Sequence, residues 1–257
     1  MENLKVALIQ TELFWEDAER NREHFSKKIA SIQNTDLIIL PEMFSTGFSM
    51  HPEPLAETES GKTLAWMQQT AQEKNTALAG SIIIKEGENY YNRMFFVFPD
   101  AHYQTYDKRH RFTFAGEHHK YSAGEKRLLV NYKGWKICPL ICYDLRFPVW
   151  ARNTEDYDFL FYNANWPQKR VYAWDHLLKA RAIENMSYVA GVNRIGNDEN
   201  NNAYNGHSIV LDALGQPLSP ENLETDEIIQ VELDAEKLQQ TRKDFAFLQD
   251  QDAFTLK

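Results

Sequence analysis

The chain has 257 residues, 43% of them hydrophobic, with 15 Phe, 12 Tyr and 6 Trp, which supplies an extensive core and excludes a disordered chain. Its formal net charge of −9, from 37 acidic and 28 basic residues, argues against general attraction to nucleic acid. No apolar run approaches the roughly 18 to 20 residues that span a bilayer, and the N-terminus lacks the regions of a signal peptide, so a cytoplasmic protein built as one domain over 1–257 is expected.

In chain order, LKVALIQ at 4–10 reads as a buried strand, and residues 15–33 as an amphipathic helix with Phe25, Ile29 and Ile32 at helical spacing. TDLIILPE supplies a second buried strand, followed by a helix at 61–74 and strands at 77–84 and 91–98, with Gly87 to Asn89 marking a hairpin connection. A long aromatic and basic loop spans about 106–123. A hairpin is then expected from Leu128 to Cys142, turning at Lys133 and Gly134, and Pro139 in its second arm argues for an edge or a bulge.

A helix at 148–153, strand 158–163, helix 172–186 and strand 188–193 form a second β-α-β series, and strands near 206–212 and 227–233 precede a short helix and an aromatic tail. This alternation predicts a layered α/β protein with no linker. The Asn-rich patch at 197–202 reads as an exposed turn.

The two cysteines, Cys138 and Cys142, fit neither a disulfide framework nor a CxxC pair nor a structural zinc site. Cys142 ends an apolar strand just before Pro148, a residue suited to a helix's first turn. That elbow would favour a thiolate and later an oxyanion, although a buried inert thiol fits the same residues. Glu42 follows Ile38-Ile39-Leu40-Pro41 at a strand end, where a buried carboxylate suits a general base. Lys108 and Glu117, taken singly, read as ordinary loop residues. A papain-like Cys-His pair and a metal site at His110, His118 or His119 are the rival chemistries. Neither has its local signature here.

Three blocks, LPEMFSTGF at 40–48, YDKRHRF at 106–112 and PLICYDLRFP at 139–148, resemble the signatures of the nitrilase superfamily in order and spacing. ANWP at 164–167 and the stretch 177–196 extend the likeness over most of the chain. The resemblance implies a four-layer α-β-β-α sandwich, paired with a second subunit through its outer helices, and no metal or cofactor. It implies Glu42 as general base, Lys108 as oxyanion-stabilising lysine beside the backbone N–H of Tyr143, Cys142 as nucleophile and Glu117 as a substrate-holding glutamate. Arg109 and Arg111 stand where apolar residues are common in that family. Arg181, Glu184 and Asn185 would buttress the elbow.

Within the superfamily, ICYDLRFP, FAGEHHKYSAGE and NANWPQKR look most like the omega-amidases, which act on 2-oxoglutaramate and 2-oxosuccinamate. A small-molecule amide carrying a carboxylate requires a cation. Arg146, Lys120 and Arg170 are the candidates, with hydrogen bonds from His118 or His119 and with Asn165 and Trp166 as further pocket residues. Hydrolysis of N-carbamoyl amines or aliphatic amides is the alternative activity. A catalytically silent binding module is the alternative of a different class.

Overall fold

The computed structural model describes residues 1–255. The strands are β1 (Leu4–Gln10), β2 (Leu37–Ile39), β3 (Ala77–Glu86), β4 (Asn89–Val97), β5 (Tyr103–Asp107), β6 (Val130–Tyr132), β7 (Trp135–Ile141), β8 (Phe159–Ala164), β9 (Tyr188–Asn193), β10 (Ile195–Asn197), β11 (Ala203–Asn205), β12 (Ile209–Leu211) and β13 (Glu227–Leu233). The α-helices are α1 (Ala18–Ser31), α2 (Pro52–Leu55), α3 (Lys62–Lys74), α4 (Glu117–Lys120), α5 (Pro148–Ala151), α6 (Val171–Asn185) and α7 (Ala235–Asp244). Among the described residues no helix is long and apolar enough to cross a membrane.

Two mixed sheets form, ordered β13-β1-β2-β3-β4-β5 and β12-β9-β8-β7-β6, and β10 pairs with β11 in a separate ribbon. Strand periodicity explains how the sheets stack. In β1, Leu4, Val6 and Leu8 join a core shared with Ile137 and Phe161 of the second sheet. Ala7 and Ile9, on the opposite face, meet Phe25 and Ile29 of α1 and Leu64 and Met67 of α3. The second sheet is covered in turn by Trp174, Leu178 and Ala182 of α6. The order α1 and α3, sheet, sheet, α6 is the expected four-layer sandwich.

The approach of α6 is close. A Cβ at Gly191 of β9 would lie 2.5 Å from Leu178 Cδ1 and 2.6 Å from Trp174 Cζ2, so only glycine admits the helix there. The β6–β7 hairpin turns on Lys133 (φ 50°) and Gly134 (φ 81°), both left-handed as a two-residue turn of this kind requires. Short β6 pairs with β7 only as far as Ile137, so one side of β7 is open at Pro139, which therefore stands at an edge.

Several boundaries differ from expectation. Helix α1 starts at Ala18, not at residue 15, because Asp17 caps it by accepting from Arg20 N at 3.0 Å. The strand expected at 206–212 shrinks to Ile209–Leu211, since Gly206 and His207 have φ of 75° and 58°. The loop expected at 106–123 contains the end of β5 and the one-turn helix α4. The helix expected at 148–153 is the single turn α5, preceded by a 3₁₀ turn over Cys142–Arg146.

Candidate active site

Glu42 lies just past β2, where the chain turns sharply. Met43 has φ 44°, and its N–H donates to Ser81 Oγ at 2.9 Å. The turn sends the Glu42 side chain inward, and the residue is fully buried. Its Oε1 accepts from Lys108 Nζ and Asn92 Nδ2, both at 2.8 Å, while Oε2 accepts from Asn165 N at 2.9 Å. Asn165 also donates through Nδ2 to Glu42 O at 2.5 Å.

Lys108 follows β5, and its N–H donates to Asn92 O at 3.0 Å, which carries the lysine to the end of the first sheet. Its ammonium reaches Glu42 at 2.8 Å and both oxygens of Glu117 at 3.0 Å. An ammonium has three N–H donors. One goes to Glu42 and one is shared by Glu117, which leaves the third for a ligand. Burial opposes the charge on Lys108, but the Glu117 and Glu42 carboxylates outweigh it and hold the amine protonated. Glu117 also accepts from Phe112 N. Burial first, and then the nearby Glu42 charge, raise the proton affinity of Glu117 despite Lys108.

Cys142 closes β7 with φ 42°, a left-handed conformation that costs a β-carbon residue about 1–2 kcal/mol. The turn that holds it there is anchored from two sides. Arg181 Nη2 donates to Leu145 O at 2.7 Å, with Arg181 steadied by Glu184 at 2.8 Å. Asp144 accepts from Ile141 N at 3.1 Å on the other side. Asn185 accepts from Asn153 N at 2.9 Å and so secures the chain after α5. The expected buttress of the elbow is thus formed by Arg181 and Glu184, whereas Asn185 holds the segment after α5.

One expectation is overturned. A helix N-terminus was expected to favour the thiolate, yet burial, with the Glu42 charge beside it, pushes the Cys142 thiol well above its usual range, and Lys108 opposes this only in part. The five-residue 3₁₀ turn supplies no long helix dipole to reverse that balance. The resting thiol therefore carries its proton, with a carboxylate at hand to receive it. Cys138 is buried completely, and its thiol is pushed up to about 12.

A cavity of about 290 Å³ opens over this cluster, with Lys108, Cys142, Tyr143 and Asn165 in its wall. Trp166 lines it as well and also carries Arg146, whose guanidinium lies 5.0 Å from the indole centroid. Glu117 is fully buried behind Lys108 and holds its ammonium with both oxygens; it is not among the residues that line the cavity.

The structure separates the three candidate cations. Arg146 and Arg170 line the cavity, Arg170 lying 4.8 Å from the Phe112 ring centroid, whereas Lys120 pairs with Glu53 at 3.0 Å in a partly exposed position and stays outside. Among the described residues neither arginine has a carboxylate partner, and neither His118 nor His119 lines the cavity. The Asn-rich turn is not merely exposed, because Asn200 and Asn202 form part of the cavity wall. Asp198, also in that wall, spends its oxygens on Asn200 N, Asn202 and Tyr204 OH at 2.8–3.3 Å.

Sequence reasoning missed Asn92, which holds Glu42, and Asp144, which holds the elbow. Neither lies in a pattern that marks it by type, since Asn92 meets Glu42 across 50 residues and Asp144 takes its further donors, Tyr106 OH and His110 N, from 38 and 34 residues away.

A thiol, two carboxylates and an ammonium gathered under one cavity in an α-β-β-α sandwich are the equipment of a hydrolase that forms an acyl-thiol intermediate. A model of the carbon-nitrogen hydrolase family matches residues 5–243, and the chain belongs to that family, part of the nitrilase superfamily. It is 45% identical to the omega-amidase YafV of Yersinia enterocolitica, over 100% of both chains. It is 32% identical to the 2-oxoglutaramate amidase of Bacillus subtilis, over 85% of each. The crystal structure of XC1258 from Xanthomonas campestris, a CN-hydrolase superfamily protein with an arsenic adduct in its active site, superposes with a TM-score of 0.98 at 41% identity, covering 100% of both chains.

Proposed function

We propose that the chain is an omega-amidase that hydrolyses the terminal amide of a small 2-oxo acid, such as 2-oxoglutaramate or 2-oxosuccinamate, to the 2-oxo diacid and ammonia. The observation that carries this reading is Lys108 bridging Glu42 and Glu117 beside Cys142, under a cavity whose two arginines lack carboxylate partners among the described residues. Relatives named as omega-amidase and as 2-oxoglutaramate amidase support the same substrate class.

Each step has a group suited to it. Glu42 takes the thiol proton as Cys142 Sγ attacks the amide carbon. The negative oxygen formed is met by the third N–H of Lys108 and by the backbone N–H of Tyr143, and one such donor is worth about 3 kcal/mol. Glu42 then returns the proton to the departing nitrogen, which leaves as ammonia while the thioester forms. Water, deprotonated by Glu42, attacks the thioester, and the acid departs as the thiol regains its proton. Arg170 and Arg146 supply the charge for the substrate carboxylate at the far end, each as a planar donor fork.

A free catalytic thiol suits the reducing cytoplasm, where we place the protein. Tyr172 (74% exposed) and Ile183 (51% exposed), eleven residues apart and therefore on one side of α6, suit the pairing of two subunits. Sedimentation of the wild type and of Tyr172→Glu tests this, and a monomeric wild type overturns it.

The activity itself is tested by ammonia release from 2-oxoglutaramate, glutamine, a carbamoyl-amino acid, a simple amide and a nitrile. The expected result is the highest kcat/KM for 2-oxoglutaramate. Preference for the carbamoyl compound or the simple amide transfers the chain to another branch of the family.

A further inference from the structure

Asn92 sits in β4, opposite Ile83 of β3, and is only 2% exposed. Its side chain is half used. Nδ2 donates to Glu42 Oε1 at 2.8 Å, but among the described residues Oδ1 has no partner. A buried amide oxygen without a partner is unfavourable, so the position keeps asparagine for its donor and not for its fit in the sheet. The residue also stands outside the cavity wall, and so touches neither the substrate nor the sulfur's open side.

The two oxygens of Glu42 are consequently unequal. Oε1 has both its acceptor positions occupied, by Lys108 Nζ and Asn92 Nδ2. Oε2 accepts one bond, from Asn165 N, and retains a second acceptor position. Without Asn92, Oε1 would have an open position too, and the carboxylate would lose one of the three contacts that hold its oxygens.

We infer that Asn92 is a positioning residue for the reaction, occupying Oε1 of Glu42 so that Oε2 alone receives and returns the cysteine proton. This rests on the reading of Glu42 as general base and adds to it the atom that works and the group that selects it.

The test uses the whole protein carrying Asn92→Leu, which preserves bulk without the donor, and Asn92→Asp, which is nearly isosteric but cannot donate when ionised. In either folded variant, kcat should fall about ten- to a hundred-fold, the range of a hydrogen bond to a charged group. KM should change by less than about threefold. Reaction of iodoacetamide at Cys142 should slow in the variants as well, and that readout needs no substrate. If the wild type ignores 2-oxoglutaramate while alkylation slows in the variants, the substrate assignment fails and this inference stands. A folded variant with kcat within threefold of wild type and an unchanged alkylation rate overturns it. Loss of folding in both variants assigns Asn92 to structure and overturns it as well.

Discussion

Asp144 Oδ1 accepts from Nδ1 of His110 at 2.7 Å, joining the turn that holds Cys142 to the segment that follows Lys108. The same carboxylate accepts from His110 N at 3.0 Å and Tyr106 OH at 2.7 Å, and the His110 ring stacks on Phe147 with centroids 3.7 Å apart. The spacing between Cys142 and Lys108 is thus set by a fully buried hub, not by either side chain alone. Asp144→Ala would strand Ile141 N, His110 N and Tyr106 OH inside the protein, at about 1–3 kcal/mol for each buried group left without a partner. A large fall in thermal midpoint is expected. The folded fraction of Asp144→Asn should also lose most of its turnover, because an amide nitrogen must then face a donor. Full ammonia release from a stable Asp144→Asn protein would reduce the hub to packing.

Cys142→Ala should release no ammonia while melting within a few degrees of the wild type, since the side chain makes no hydrogen bond on which the elbow depends. Iodoacetamide should modify Cys142, which lines the cavity, in the wild type and spare Cys138, whose side chain is wholly inaccessible. Turnover by the alanine variant, or faster labelling of Cys138, places the nucleophile elsewhere.

Lys108 couples catalysis to stability. Lys108→Ala leaves Glu42 and Glu117 facing each other without a cation, and breaking a buried pair in this way costs about 3–5 kcal/mol. Acylation should fall by about two to three orders of magnitude as the oxyanion donor is lost. Glu117→Gln keeps an acceptor for Lys108 and Phe112 N, so it should fold normally and lose activity more modestly. Stopped-flow acylation, with melts on the same samples, separates the two effects. Equal destabilisation by both variants would show that charge balance is not what Lys108 provides.

The layers and the three side chains that meet under the cavity, Glu42, Lys108 and Cys142, were legible in the sequence, because each has a local signature. Alternation in LKVALIQ marks a strand between two cores, Lys133-Gly134 marks a tight turn, and the blocks around Glu42, Lys108 and Cys142 are short and characteristic. What was hidden is long-range. Asn92 meets Glu42 across 50 residues and Tyr106 meets Asp144 across 38, and nothing in the neighbouring sequence of either pair announces the other. The choice among Lys120, Arg146 and Arg170 depended on side-chain direction, which composition does not carry. The resting state of the Cys142 thiol was misjudged because burial and the Glu42 charge, both tertiary, outweigh the local turn.

Arg170 and Arg146 should govern affinity for the acid, not the chemical step. Removing one arginine that binds a carboxylate forfeits about 1.5–3 kcal/mol, or roughly a ten- to hundredfold rise in KM for 2-oxoglutaramate. A simple uncharged amide should show little change with Arg170→Ala or Arg146→Ala. Steady-state kinetics on both substrates decides this, and equal losses on the two would assign the arginines to structure.

Alkaline conditions should weaken the fold through protons that only the native state retains. Burial raises the proton affinity of Cys138 and Cys142 and of Tyr106, Tyr157 and Tyr162, so each binds its proton more tightly folded than unfolded. A raised folded value means that the contribution is complete below the unfolded pKa and is lost as pH climbs toward the folded one. The window opens near pH 8.5 for the thiols and near pH 10 for the phenols, each group costing about 1.4 kcal/mol per pH unit within its window. Between pH 8.5 and 10 only the two thiols contribute among these groups, so Cys138→Ala should roughly halve the decline in unfolding free energy there. Urea unfolding at half-unit pH steps measures it, and an unchanged slope in the variant would remove Cys138 from the account.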